Sequence, residues 1–110
     1  MPARFIVEGE TVKFIIGTFC FKPGRRDALL AEIQPLIEDV RREEGNVFFE
    51  FNPKLDDPDA AFLCECFVDD AAHRFHQTLP HFHTMIGKIT AAMIESDVNV
   101  HFADSVFRDT

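Results

Sequence analysis

Val47-Phe48-Phe49-Glu50-Phe51 and Ala61-Phe62-Leu63-Cys64-Glu65-Cys66-Phe67 are two apolar runs joined by Asn52-Pro53-Lys54-Leu55-Asp56-Asp57-Pro58-Asp59. A polar linker with two prolines cannot continue a strand, so the two runs form a hairpin. Alternation puts Val47, Phe49 and Phe51 on one face of the first strand, with Phe48 and Glu50 on the other. In the second strand Phe62, Cys64 and Cys66 oppose Leu63, Glu65 and Phe67. Both faces of the hairpin are apolar.

Working towards the N-terminus, residues 12–21 are rich in β-branched and aromatic types and run into Lys22-Pro23-Gly24, which stops a strand. Phe14 and Ile16 fall on one side, Ile15, Phe19 and Phe21 on the other. Between this strand and the hairpin, Leu29, Ile33, Leu36, Ile37 and Val40 recur at helical spacing, which predicts an amphipathic helix over residues 25–44. Pro35 is expected to kink it, and Gly45 to end it as a C′ residue. Beyond the hairpin, Asp69 or Asp70 offers an N-cap to a short helix over residues 71–76. Thr78 and Pro80 restart a second helix with a stripe of Phe82, Met85, Ile86, Ile89 and Met93. Residues 97–106 alternate as a last strand. The order β-α-β-β-α-β is the ferredoxin-like α+β arrangement. It predicts an N-terminal extension over residues 1–10, one domain over 12–102 and a tail over 103–110.

The 110 residues suffice for a single core, and 46% hydrophobic with 27% charged residues is the composition of a chain that folds. A net charge of −8 opposes binding to nucleic acid or anionic membranes, because phosphate contacts require clustered Lys and Arg. No apolar run is long enough to span a bilayer, and residues 1–10 lack the apolar segment of a signal peptide, so a cytoplasmic location is expected. Cys20, Cys64 and Cys66 form no CxxC pair and suit a reducing compartment as small core or wall residues.

Two helices can cover only one face of a four-stranded sheet, which leaves the second apolar face bare in a monomer. A homodimer stacking these faces would bury it as an α/β barrel, with a pocket for a small apolar or aromatic molecule between sheet and helices. The alternative is a monomer in which residues 1–10 and the tail fold over that face.

Several motifs together carry a resemblance. Lys22-Pro23-Gly24, Arg42-Glu43-Glu44-Gly45-Asn46, Glu65-Cys66-Phe67 and Phe75-His76-Gln77-Thr78-Leu79-Pro80-His81-Phe82 stand in the order and spacing of the antibiotic biosynthesis monooxygenase (ABM) family, which the chain resembles over residues 12–102. The resemblance implies a dimeric α+β barrel and, for some members, oxygenation of quinols or phenols with O₂ and neither metal nor flavin. Glu43-Glu44-Gly45-Asn46 and the His76 to His81 segment also look like the branch that processes a phosphorylated autoinducer-2-type signal. That chemistry would require Arg25, Arg26, Arg41, Arg42 or Lys88 at the pocket. Phe67 stands where the family commonly has Trp. The haem-degrading branch is disfavoured, because Gly17, His76 and Ile86 replace its characteristic residues.

His76 is the first candidate general base, since an imidazole exchanges protons near neutral pH. His81 is the second, and His73 and His83 are expected to face solvent. Glu65, between Leu63 and Phe67, points into a buried layer, where a charge needs a partner. That partner is expected to be His76 or, structurally, Arg41, Arg42 or Arg74. Asn46 is a candidate hydrogen-bond donor to substrate, and Phe49, Phe67 and Phe82 are candidate pocket walls. His73-x-x-His76 and His81-x-His83 lack a carboxylate that would complete a recognisable metal shell, so no metal is expected. Without a GxGxxG or Walker loop, no nucleotide cofactor is expected either.

Overall fold

The computed structural model describes residues 11–104. In chain order they form β1 (Thr11–Phe21), α1 (Arg26–Arg41), β2 (Asn46–Pro53), β3 (Ala60–Phe67), α2 (Asp70–His76), α3 (Pro80–Ala92) and β4 (Met93–Asp104). The four strands make one antiparallel sheet in the order β2-β3-β1-β4. This is the ferredoxin-like fold read from the pattern. Its second crossover is divided into α2 and α3.

Register assigns the faces. Ile15 stands between Glu65 on β3 and Val100 on β4, and Phe49 on β2 continues the row. This side meets the helices. Ile33, Ile37 and Val40 of α1 and Met85 and Ile89 of α3 pack on Ile15, Phe19, Phe21, Phe49, Phe51 and Phe67 to form the core. Burying a side chain of this size contributes about 1.5–3 kcal/mol, so these rows dominate the stability of the domain.

The opposite face is apolar along β1 and β3 and at Phe48 of β2, whose Glu50 and Asn52 are polar. Phe14, Phe48 and Cys66 lie in one row, Ile16 and Cys64 in the next, and Phe14 and Phe48 meet with ring centroids 6.1 Å apart. On β4 the same side carries Asp97, Asn99 and His101. The two-sided apolar character therefore stops at the β4 edge. The alternative cover by residues 1–10 and the tail lies outside the described residues.

Several boundaries differ from expectation. α1 ends at Arg41, before Glu43 and Glu44. Met93 opens β4 and does not extend the α3 stripe, and Ile86 of that stripe is exposed. Gly24, with φ of 76°, is the described residue with a left-handed backbone. Gly45 is not a left-handed cap. It is glycine because α2 crosses it so closely that a Cβ there would overlap the Cβ of Ala72.

Candidate active site

Asp69 accepts a hydrogen bond from the backbone N–H of Ala72 at 2.8 Å, which starts α2 where the sequence predicted. His73 and His76, three residues apart, then share one face of the helix. Both are buried, and the Phe67 ring lies 5.0 Å from each imidazole. His73 therefore does not face solvent as expected, whereas His83 does. The i, i+3 spacing was the available signal. A helix turning His76 inward turns His73 inward too.

The close passage of α2 over Gly45 sets Glu43 against His76. The Nδ1–H of His76 donates to the Glu43 carboxylate at 2.9 and 3.0 Å, and the Nε2–H of His81 donates to its Oε2 at 2.6 Å. The carboxylate partner of His76 is thus Glu43 and not Glu65. Sequence reasoning passed over Glu43 because it stands in the charged run Arg41-Arg42-Glu43-Glu44, which reads as a solvated helix end. Only its place in the quoted family motif singled it out.

Glu65 takes a different environment. It is 5% exposed, and the nearest cationic candidate is Nε2 of His73 at 4.0 Å, beyond hydrogen-bond distance. The three arginines considered as partners are engaged elsewhere. Arg41 binds Glu38, Glu50 and the Phe49 carbonyl, Arg42 binds Asp39, and Arg74 binds Asp70. Nδ1 of His73 is buried with no hydrogen-bond partner.

The electrostatics follow from this geometry. Burial, reinforced by the negative charge of Glu43, pushes the Glu65 carboxyl up to about 8. Burial, with Lys13 and His76 nearby, pushes His73 down to about 4. Both groups are mainly neutral at pH 7, so their 4.0 Å approach is not an ion pair. His76 is also lowered by burial, against the opposing hydrogen bond and charge of Glu43.

Glu65, His73 and Gln77 are polar groups on a groove of about 340 Å³ between the sheet and the α2–α3 layer. Its apolar walls include Ile15, Phe82, Ile86, Val98 and Val100. Val98 and Val100 remain 44% and 49% exposed because no helix covers β4, and the groove exists for that reason. A smaller adjoining cavity of about 50 Å³ brings Glu65 and His76 together with Phe49 and Phe82. Of the expected wall residues, Phe82 reaches both spaces and Phe49 the smaller one. Phe67 is fully buried behind the two histidines. Asn46 is buried in the β2 bulge, where its amide donates to the Phe48 carbonyl at 3.1 Å. Cys64 and Cys66 project to the other sheet face, and burial raises the Cys66 thiol to about 11, which makes it a poor nucleophile.

No cation lines the groove among the described residues. Arg26 is held by Asp27 and the Asp57 carbonyl, and Lys88 by Glu32. Nor is any helix of the described chain long and apolar enough to cross a membrane.

The family model described as "Antibiotic biosynthesis monooxygenase" matches residues 14–88. The chain is 33% identical over 67 residues to "Putative monooxygenase YcnE" of Bacillus subtilis, covering 61% of this chain and 70% of that protein. Among solved structures, a "putative Antibiotic biosynthesis monooxygenase" from Chloroflexus aurantiacus aligns with a TM-score of 0.74 at 25% identity, covering 90% of this chain and 97% of the other. One of the same description from Nitrosomonas europaea gives 0.77 at 18% identity over 94% and 97% of the two chains, which is a likeness of fold.

Proposed function

The chain belongs to the antibiotic biosynthesis monooxygenase family, and from that premise we infer that its groove oxygenates a small, electron-rich hydroxylated aromatic such as a quinol or anthrone. The observation that carries this reading is the buried pair of Glu65 and His73. Each is polar, each faces an apolar groove, and neither is hydrogen-bonded to the other. The facing atoms, Oε1 of Glu65 and Nε2 of His73, stand 4.0 Å apart, and a ligand hydroxyl placed against them would hydrogen-bond to both. The groove volume of about 340 Å³ lies at the lower end of small-molecule sites.

We assign the base role to Glu65, which lines both the groove and the smaller cavity, whereas His76 lines the smaller cavity alone. A carboxylate titrating at about 8 is a stronger base than an ordinary one and is better matched to a phenolic proton. Glu65 accepts the substrate proton, and the resulting anion passes an electron to O₂. The substrate radical and superoxide couple to a peroxide. Cleavage of its O–O bond leaves one oxygen atom on the product and releases the other as water, the substrate supplying both electrons. Apolar walls keep water from the intermediates. His76, with Glu43 behind it, positions the α2 layer.

A phosphorylated sugar-like substrate is less well supported, because its phosphate would need a cation that the described groove does not offer. The apolar outer face of β1, β2 and β3, with Phe14, Ile16, Phe48 and Phe62, is the surface on which a second copy would close the barrel. The reading is tested by oxygen uptake with a panel of quinols and anthrones. Uptake that depends on substrate and saturates supports it, and uptake no faster than the protein-free blank for every compound refutes it. Sedimentation at micromolar concentration tests the dimer.

A further inference from the structure

We propose that Glu43, His76 and His81 form a binding site for a divalent first-row transition metal. The site lies outside the groove, and the inference goes beyond the oxygenase reading and does not depend on it. Nδ1 of His76 and Nε2 of His81 converge on one oxygen, Oε2 of Glu43, at 2.9 and 2.6 Å. The three ligand atoms lie within 4.8 Å of one another. Two imidazole nitrogens and a carboxylate oxygen are a donor set of Zn²⁺ and Fe²⁺ sites, in which ligands stand about 2.0–2.2 Å from the ion. Adjacent ligand atoms around such an ion are roughly 3 Å apart by that geometry, so an ion enters as each imidazole shifts its proton to the other ring nitrogen and the cluster spreads by a fraction of an ångström.

Three features favour the ion. His76 is fixed before binding, with the Phe67 ring 5.0 Å from it and the Phe82 ring edge-on at 4.9 Å, so little ordering remains to be done. The ligand set carries one negative charge in a chain of net charge −8, which attracts a cation. Access is available through His81, whose side chain is 19% exposed where those of Glu43 and His76 are 6% and 3% exposed. The ligands come from three places, the α1–β2 connection, the end of α2 and the first turn of α3. A bound ion would therefore clip α2 and α3, which line the groove, to the α1–β2 connection.

The test uses the untagged full chain after chelator treatment, titrated calorimetrically with Zn²⁺ and spectroscopically with Co²⁺. One equivalent should bind with a micromolar or tighter Kd, and Co²⁺ should give visible ligand-field bands without thiolate charge-transfer absorption. His81→Ala, at a position whose side chain is 19% exposed, should weaken Zn²⁺ at least about 100-fold, since loss of even an outer partner of a ligand costs 10–100-fold. Glu43→Gln should do the same, while His83→Ala should stay within about twofold of the parent by the same comparison. The proposal is overturned by no binding below millimolar Zn²⁺, by affinity unchanged in a folded His81→Ala protein, or by thiolate bands that place the ion on cysteine.

Discussion

Two acid–imidazole groups meet the inward face of α2, and they differ in one respect. Around Glu43 the imidazoles of His76 and His81 close to 2.9 and 2.6 Å and satisfy the carboxylate. Around Glu65 the nearest imidazole stops at 4.0 Å, and burial instead drives the acid up to about 8 and His73 down to about 4. Burial with a partner makes a rigid post, whereas burial without one makes a group whose protonation is poised to change. Under the proposed function, the same residue types serve architecture at one place and chemistry at the other.

The largest effect that would break this contrast is on turnover. Glu65→Gln keeps the shape and removes the base, so oxygen uptake at saturating substrate should fall about 10²–10⁴-fold with the far-ultraviolet spectrum unchanged. A variant within a few-fold of the parent would move the chemistry away from Glu65. In the parent, kcat/KM should climb with pH and level off above about 8, because the ionised carboxylate is the active form.

Stability should carry the same signature. The folded state raises Glu65 from 4.5 to about 8 and so binds its proton more tightly than the unfolded chain. The native state accordingly loses stability as pH rises between those values. His73, lowered from 6.5 to about 4, acts in the opposite direction and removes stability as pH falls through that window. Glu65→Gln should therefore be more stable than the parent at pH 9, by on the order of 3 kcal/mol, with the advantage shrinking towards pH 5. Denaturant midpoints across that range would show it, and a pH-independent difference would contradict the assignment.

Two smaller perturbations sharpen the architectural side. Gly45→Ala forces a Cβ into Ala72, which should cost about 1–3 kcal/mol and pull Glu43 away from His76. A parallel loss of Zn²⁺ affinity would tie the close crossing to the cluster. Asp69→Ala removes the cap of the helix that carries both His73 and His76 and should lower stability by about 1 kcal/mol, read as a shift in thermal midpoint.

Much of the framework was legible because local rules act over a few residues. Period-two alternation put Leu63, Glu65 and Phe67 on one face, and register confirms it. The capping role of Asp69 and the break at Pro80 were equally readable. The candidate site was less so. His73 reads as solvent-facing although its spacing from His76 places both on one helix face, and Gly45 reads as a C′ cap although the left-handed backbone among the described residues is at Gly24. Glu43 was hidden in a charged run, since nothing within a few residues of it foretells which helix will cross over it.

From the sequence alone came the order of elements, the two apolar sheet faces, the buried direction of Glu65 and the family resemblance, all consequences of chain periodicity and motif spacing. Which acid each imidazole meets was decided only by tertiary packing. Glu43 and His76 are 33 residues apart, and the glycine-sized gap at Gly45 sets their separation. A hydrogen bond is made or lost over about 1 Å, and no pattern in the chain fixes a distance to that tolerance.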